Sequence, residues 1–527
     1  MGMPPSDNPI LASSYAASPK ASDMVSILGH RFYPPRMPRL AVSGPSSVTT
    51  DAAVVVGEMG GSVADAVIAS ALVAMCSEPG VCAPGAGGFF AIGVPGSDPV
   101  VIDGYVAAPG LGHEGKVEQR SVTMEYGGGV TTLVDAGTIA VPGSFAACAE
   151  ASRLFGVVPW AELMEVVAAS IEDGFPMSAA VHLYLEDSAV PIFSQDPASK
   201  AALFDGDRLR DTGETVQYEG LADALRYIGS EGADVFYHGD LGARIVDDLE
   251  ERGGLLTRLD LETYQAIVRK PLQVQIGGWM LATNPPPAVG GVTLAAALAH
   301  MDLAEDSLSG AVWAESLRAA FRARLDRLEP ADDLEAESRQ LLEELGMRSP
   351  STIAVAAVDK DGAAASASFS AGYGSGVIPK GTGMLMNNCL GEIELTPGGM
   401  EAQVPGERLL SNMAPTIARS PNQALAVASP GAGRITSALA IAIARVFFGG
   451  DGLEEAIEHP RVHPEFPSEG DRIAAEPGID LTGLELPSRW FDEKHMYFGG
   501  VNGAALLNGE LYGHADSRRT GSVALVD

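Results

Sequence analysis

In the stretch SPSTIAVAAVDKDGAAASASFSAGYGSG, residues 349–376, one hydroxyl, Thr352, stands directly before an alternating apolar run that otherwise reads as plain sheet. A hydroxyl is a weak nucleophile unless a base lies beside it, and one solution is for the residue's own freed α-amine to serve as that base. Thr352 must then be an N-terminus. Self-cleavage of the Ser351–Thr352 bond supplies one: the Thr352 oxygen attacks the preceding carbonyl, an ester forms and water releases it. The same oxygen is then available to a substrate. Taken alone, a Thr opening a strand is more ordinarily a β-branched residue that suits a pleated surface.

Other residues of chemical type point away from metals and phosphates. The glycine-rich run GVCAPGAGGFF lacks GxGxxG spacing and a GKS or GKT ending, and Pro84 removes a backbone donor, so close backbone packing is the better reading. His459 and His463 in HPRVH are four apart, but Pro460 interrupts any helix that would align them, and no metal site is expected. Cys76, Cys82, Cys148 and Cys389 show neither CxxC nor paired spacing, which argues against a disulfide scaffold and a zinc site and fits a reduced cytoplasm. No cofactor is implied.

The chain that must position these groups has 527 residues, enough for two or three average domains or one large layered domain. With 46% apolar and 19% charged residues it has the balance of a soluble, folded protein. Against 68 Asp and Glu stand 34 Lys and Arg, a net charge of -34, which repels nucleic acid and anionic membrane surfaces. The acid-rich segments 325–346 and 455–495 read as solvated helix faces. The first 35 residues lack a basic region followed by an apolar one, and the run Val63–Met75 is short and broken by Asp65. Neither signal peptide nor membrane span is expected, and the expected location is the cytoplasm.

Residues 1–40 read as an irregular arm, with ordered structure from about Ala41. Helical spacing predicts two helices between Thr50 and Cys76, separated at Gly60–Gly61, the second one buried. GVCAPGAGGFFAIGV and PVVIDGYV predict a hairpin behind them. Helices follow over 144–184 and 218–253, PWAELMEVVAASIEDG being closed by Gly174, and NPPPAVGGVTLAAALAHM predicts a helix capped by Thr293. Strands dominate from Thr352, then helices around 433–458, then strands again. Runs of strands beside runs of helices predict an α+β layered domain.

The ordered motifs GGSVADAVIASALV, EPGVCAPGAGGFF, AVPGSFAA, GADVFYHGDLGARIVDDLEERGGLLTRLDLETYQA, NPPPAVGGVTL, STIAVAAVDKDG, YGSGVIPKGTGMLMNN, SPGAGRI and GELYGHADSRRTG carry a resemblance. From about Val42 to its end the chain resembles the γ-glutamyltranspeptidase family of N-terminal-nucleophile hydrolases. The resemblance implies a four-layer αββα sandwich made as one precursor, with residues 41–351 as the large subunit and 352–527 as the small one, both in one domain. It places Thr352 as nucleophile, Ser370 as a second hydroxyl at the nucleophile's amine, and Gly431 and Ala432 as the two N–H donors of an oxyanion hole. Removing one such donor in an acyl-transfer enzyme costs on the order of 3 kcal/mol. GAG is equally the kind of turn or helix start that needs small residues. Asn387 and Asn388 are candidates to support the site, or turn residues.

The pattern departs from the family where substrate is held. DGYVAAP puts Tyr105 where the family has an Arg that clamps the substrate carboxylate. NNCLGEIE puts Cys389 and Glu392 at the places of acidic partners, Ser411 and Asn412 replace a Ser-Ser pair, and Ile353 and Ala354 replace a His and a hydroxyl. Losing a bidentate charged contact in a buried pocket costs about 2–5 kcal/mol, enough to redirect specificity. The expected activity is therefore that of an autoprocessed hydrolase or acyltransferase acting on an amide-like bond of a small substrate. Alternatives are a carbon–carbon bond hydrolase of secondary metabolism that tailors alkylprolines, a true γ-glutamyltranspeptidase acting on glutathione with Arg408 or Arg434 as substitute cation, and an uncut, inactive homologue. The expected partners are the small substrate and the two subunits of one precursor, with a homo-oligomer left open.

Overall fold

The structure, a computed structural model, describes residues 38–124, 129–331, 333–345, 354–393, 395–396 and 398–527. Residues 1–37 of the expected arm, and Ser351, Thr352 and Ile353 with the bond expected to be cut, lie outside the described residues.

Two sheets form the centre, and their inner strands, such as VAAVD and AASASFS, are buried on both faces. The strands of the two sheets are β1 (Leu40–Gly44), β2 (Gly87–Gly93), β3 (Val100–Gly104), β4 (Ile267–Arg269), β5 (Leu272–Ile276), β6 (Trp279–Thr283), β7 (Val355–Asp359), β8 (Ala364–Ser370), β9 (Thr416–Ser420), β10 (Gln423–Ala428), β11 (Asn502–Leu507), β12 (Glu510–Ala515) and β13 (Ser522–Val526). Among the described residues one antiparallel sheet has the order β4-β3-β2-β8-β7-β1-β13 and a second the order β5-β6-β9-β10-β11-β12. The predicted hairpin is β2 with β3, and Gly88 stands at its start because a β-carbon there would fall on the Ser368 carbonyl oxygen of β8.

The period-2 alternation of VAAVD assigns the layers. Val355 and Ala357 of β7 enter the core under one set of helices, while Ala356 and Val358 enter the core between the sheets. That inner core combines alanines such as Ala356, Ala364, Ala424, Ala426 and Ala504 with larger side chains such as Phe89, Tyr105, Met413 and Ile417. Ser366 of β8 donates across the gap to the Val427 carbonyl at 3.0 Å.

Helices cover both outer faces. Over the first sheet lie α1 (Ser47–Glu58), α2 (Val63–Ser77), α3 (Ser144–Phe155), α4 (Trp160–Ile171) and α5 (Ala179–Ser188); over the second lie α6 (Gly290–Asp302), α7 (Gly310–Ala323) and α8 (Arg434–Ala444). VADAVIASALVAMCS has no polar stripe, and α2 is buried nearly all round, as predicted. Asp65 belongs to its cap: the carboxylate accepts from the Ser62 N–H at 2.8 Å and from the Val157 N–H at 2.9 Å, tying α2 to the loop after α3. Gly174 closes the turn after α4 with φ +85°, as the pattern required.

Thr293 does not cap α6. The helix begins earlier, at Gly290, because the Ser411 carbonyl accepts from the N–H groups of Val289 at 2.9 Å and Gly290 at 3.4 Å. The Thr293 hydroxyl instead donates back to the Val289 carbonyl at 2.9 Å. All four cysteines are buried and free. Among the described residues no helix is long and apolar enough to cross a membrane.

Candidate active site

The register of the two sheets brings a particular set of chain ends to one rim of the sandwich. The start of β7 at Val355 and the ends of β8 at Ser370, β3 at Gly104 and β10 at Ala428 lie there, with the starts of β9 at Thr416 and β11 at Asn502. The loops leaving these ends enclose a cavity of about 390 Å³, a volume suited to a small organic substrate. Tyr105, Ser370, Glu392, Ser411, Asn412, Gly431 and Ala432 line it. Val355 and Ala354, the first described residues of the strand on which Thr352 was expected, line a smaller adjoining cavity of about 60 Å³. The two cavities share Val81, Pro430 and Arg519 as walls. Asn502 fixes that strand start by donating from Nδ2 to the Ala354 carbonyl at 3.0 Å.

The segment SPGAGRI leaves β10 as a tight turn into α8. Gly431 has φ +127° and Ala432 φ +50°, a left-handed value that a residue with a β-carbon seldom adopts. Their carbonyls accept from the N–H groups of Arg434 at 2.9 Å and Ile435 at 3.3 Å, which opens the helix. Their own N–H groups have no acceptor among the described residues. Two successive unpaired N–H groups in a left-handed turn at a helix start favour negative charge. The turn reading and the oxyanion reading of GAG thus describe the same backbone.

Ser370 ends β8 and is half-buried, its Oγ accepting from the Gly372 N–H at 3.0 Å. Asn387 and Asn388 hold the surrounding loops instead of facing the cavity. The Asn387 amide donates to the carbonyls of Gly85 at 2.7 Å and Ala140 at 2.9 Å, and its oxygen accepts from the Ala140 and Cys389 N–H groups. Asn388 accepts from the Tyr373 N–H at 2.7 Å and donates to Thr132 and Leu133. Cys389 is behind the wall, its Sγ directed to the Ser370 carbonyl at 3.8 Å, so it does not face the cavity as its alignment with a substrate-binding residue suggested. Asn412 presents a buried side-chain oxygen with no partner among the described residues.

Tyr105 takes the clamp position as a neutral group. Its ring stacks on Phe89 with centroids 5.5 Å apart. Burial, then the charges of Cys389 and Glu392, push the phenol well above its ordinary range, against the hydrogen bond with Ser411. Arg408 is not among the residues that line the cavity. Its guanidinium pairs with Asp103 at 3.4 Å, donates to the Gln265 carbonyl at 2.6 Å and lies over the Tyr264 ring at 4.3 Å. Arg434 does line the cavity, over the ring of Tyr497 at 4.2 Å.

The sequence reading did not single out the wall formed by His495, Met496, Tyr497 and Arg519. A buried ionic network positions it: Arg461 pairs with Asp516, and Arg518 with Asp516 and Glu476, all within 2% exposure at their side chains. The same groups hold the cavity loop, since Glu476 accepts from the His495 N–H at 3.0 Å, Asp516 from the Val501 N–H at 2.8 Å, and Arg461 donates to the Phe498 carbonyl at 3.0 Å. The signal was present in the closing motif, whose DSRR holds both Asp516 and Arg518. His463 donates to or accepts from Ser437 at 2.9 Å, and His459 contacts the Pro460 carbonyl at 2.8 Å, so the two histidines point to different partners. Among the described residues no group of three or more His, Cys, Asp or Glu could hold a metal ion.

Two αβ layers packed sheet to sheet, with the site on one rim, define an N-terminal-nucleophile hydrolase fold. The cephalosporin acylase of Bacillus halodurans superposes with a TM-score of 0.77 at 20% identity, covering 94% of this chain and 98% of that one. The Gamma-glutamyltranspeptidase family profile matches residues 49–349 and 346–526. The chain belongs to the γ-glutamyltranspeptidase family of hydrolases and transferases. It is similar to the Acylase ACY 1 proenzyme of a Pseudomonas species, 29% identical over 443 residues covering 77% of this chain and 79% of the relative. It is also similar to the Glutathione hydrolase proenzyme of Pseudomonas aeruginosa, 27% identical over 470 residues covering 80% and 82%.

Proposed function

We propose that the chain cuts itself before Thr352 and then acts as an amide hydrolase or acyltransferase on a small substrate other than a γ-glutamyl compound. The Thr352 hydroxyl attacks the scissile carbonyl, its own α-amine takes the proton, and an ester to Thr352 forms while the amine leaves. Water or a second amine then releases the acyl group. The observation that carries this reading is the pair of unpaired N–H groups of Gly431 and Ala432 on the cavity wall, at the rim where β7 begins. They are suited to the charge that develops on the carbonyl oxygen. Ser370 and the unpartnered Asn412 oxygen supply a hydroxyl and an acceptor for the amide side.

The departure from γ-glutamyl substrates rests on Tyr105, a buried neutral phenol at the place of the clamp, and on the engagement of Arg408 with Asp103. The proenzyme names of both curated relatives agree with processing. Denaturing electrophoresis with mass spectrometry tests the reading: two chains summing to 54.5 kDa, the smaller beginning at Thr352, are expected. An intact chain that turns over amides, or a break elsewhere, overturns it. Efficient glutathione turnover would favour the γ-glutamyltranspeptidase alternative, with Arg434 as the remaining candidate cation.

A further inference from the structure

Arg434 and Arg519 both line the main cavity. In a chain with 68 Asp and Glu against 34 Lys and Arg, an arginine without a carboxylate partner is unexpected. Arg269 and Arg408 pair with Asp103, Arg461 with Asp516, and Arg518 with Glu476. Among the described residues neither Arg434 nor Arg519 forms an ion pair, and the buried Nε of each has no hydrogen-bond partner. Each side chain is half-buried with its Nε atom out of water, and the planar edge of a guanidinium matches a carboxylate.

Both side chains are held in place. The Arg434 guanidinium lies over Tyr497 at 4.2 Å, which fixes its plane. The stem of Arg519 packs against Gly500, where a β-carbon would come within 2.6 Å of its Cδ. The buried Glu78 carboxyl of the smaller cavity acts on Arg519 through its charge without an ion-pair contact. Both arginines also brace the Gly431–Ala432 loop: Arg434 opens α8 directly after it, and the Gly500 N–H is held by the Ser429 hydroxyl at 3.2 Å. Elsewhere the wall is largely apolar, with Val81, Leu183, Met413, Ile435 and Met496. The carboxylates on it, Asp187 and Glu392, form no ion pair with either arginine among the described residues.

We propose that the substrate carries an anionic group, a carboxylate being the simplest, anchored jointly by Arg519 and Arg434 beside the Gly431–Ala432 loop, with an apolar chain against Val81, Leu183 and Met496. The anchor uses side chains other than Tyr105, and the inference rests on the amide-hydrolase reading only for its kinetic test.

The mono-p-nitroanilides of succinic, glutaric and adipic acids are compared with the anilides of the monoacids of equal length on the wild-type protein. We expect kcat/KM about tenfold or more higher for the best diacid than for its neutral counterpart. That ratio falls about tenfold in Arg519→Gln and is partly kept in Arg519→Lys, whereas general damage lowers both substrates together and leaves the ratio intact. A wild-type ratio near one, or a ratio unchanged in both Arg519→Gln and Arg434→Gln, overturns the anchor. Isothermal titration of the wild-type chain with glutarate against pentanamide reads the anchor without turnover. Preferential binding of glutarate that Arg519→Gln abolishes supports it, and equal binding of the two overturns it. An uncut, inactive wild type would sink the amide reading while the titration still judges the anchor.

Discussion

Gly431 and Gly499 meet backbone to backbone: a β-carbon on Gly431 would lie 3.0 Å from the Gly499 Cα, and one on Gly499 would lie 2.9 Å from the Pro430 carbonyl oxygen. The loop that offers N–H groups to the cavity therefore leans on the loop that carries Met496 and Tyr497. Gly499 also has φ +83°, so Gly499→Ala forces two backbones apart. We expect kcat to fall roughly ten- to a hundredfold with a smaller change in KM, because N–H aim counts most in the transition state. Steady-state kinetics decides, and wild-type kcat in this variant would remove the loop from catalysis.

Thr352→Ala is expected to leave a single chain of 54.5 kDa with no turnover. Electrophoresis and a product assay read both at once. A processed or active Thr352→Ala protein disposes of the nucleophile assignment.

Arg518→Gln breaks the buried network at its centre, leaving Glu476 and Asp516 short of a cation. Removing one partner of a buried pair costs about 3–5 kcal/mol. Urea unfolding of the uncut or processed protein should show that loss. A change under about 1 kcal/mol would mean that the network is dispensable for folding.

Burial pushes the Glu78 carboxyl up to about 7 from an ordinary 4.5, against the hydrogen bond from Ser178 and the charge of Arg519. The folded state therefore binds this proton more tightly than the unfolded chain. Its contribution favours folding below pH 4.5 and is lost as pH rises to about 7. Glu78→Gln removes the dependence. Its stability relative to wild type should grow between those pH values, by up to about 3 kcal/mol, and then level off. Urea unfolding at a series of pH values checks the sign, and a difference that shrinks as pH rises would refute it.

Much of the frame was readable because its residues obey simple periods. VAAVD alternates, and β7 sends successive side chains to opposite cores; VADAVIASALVAMCS lacks a polar stripe, and α2 is buried. Thr293 misled because a side-chain cap is a local signal, whereas the carbonyl that opens α6 belongs to Ser411, far away in sequence. Tyr105, Ser370, Ser411 and Gly431 were found by alignment with family motifs, and the fold gathers them around one cavity. Cys389 has the right place in the motif but turns inward, since orientation depends on the neighbouring Asn387 and Glu392. Arg519 was not legible, because nothing in DSRRTG tells that Arg518 is consumed by Glu476 while its neighbour faces the cavity.

The contact between the sheets includes alanines such as Ala356, Ala426 and Ala504, whose strands run directly to the cavity rim at Val355, Ala428 and Asn502. Tyr105 belongs to that same inner core, so the phenol at the clamp's place also takes part in how the two halves meet.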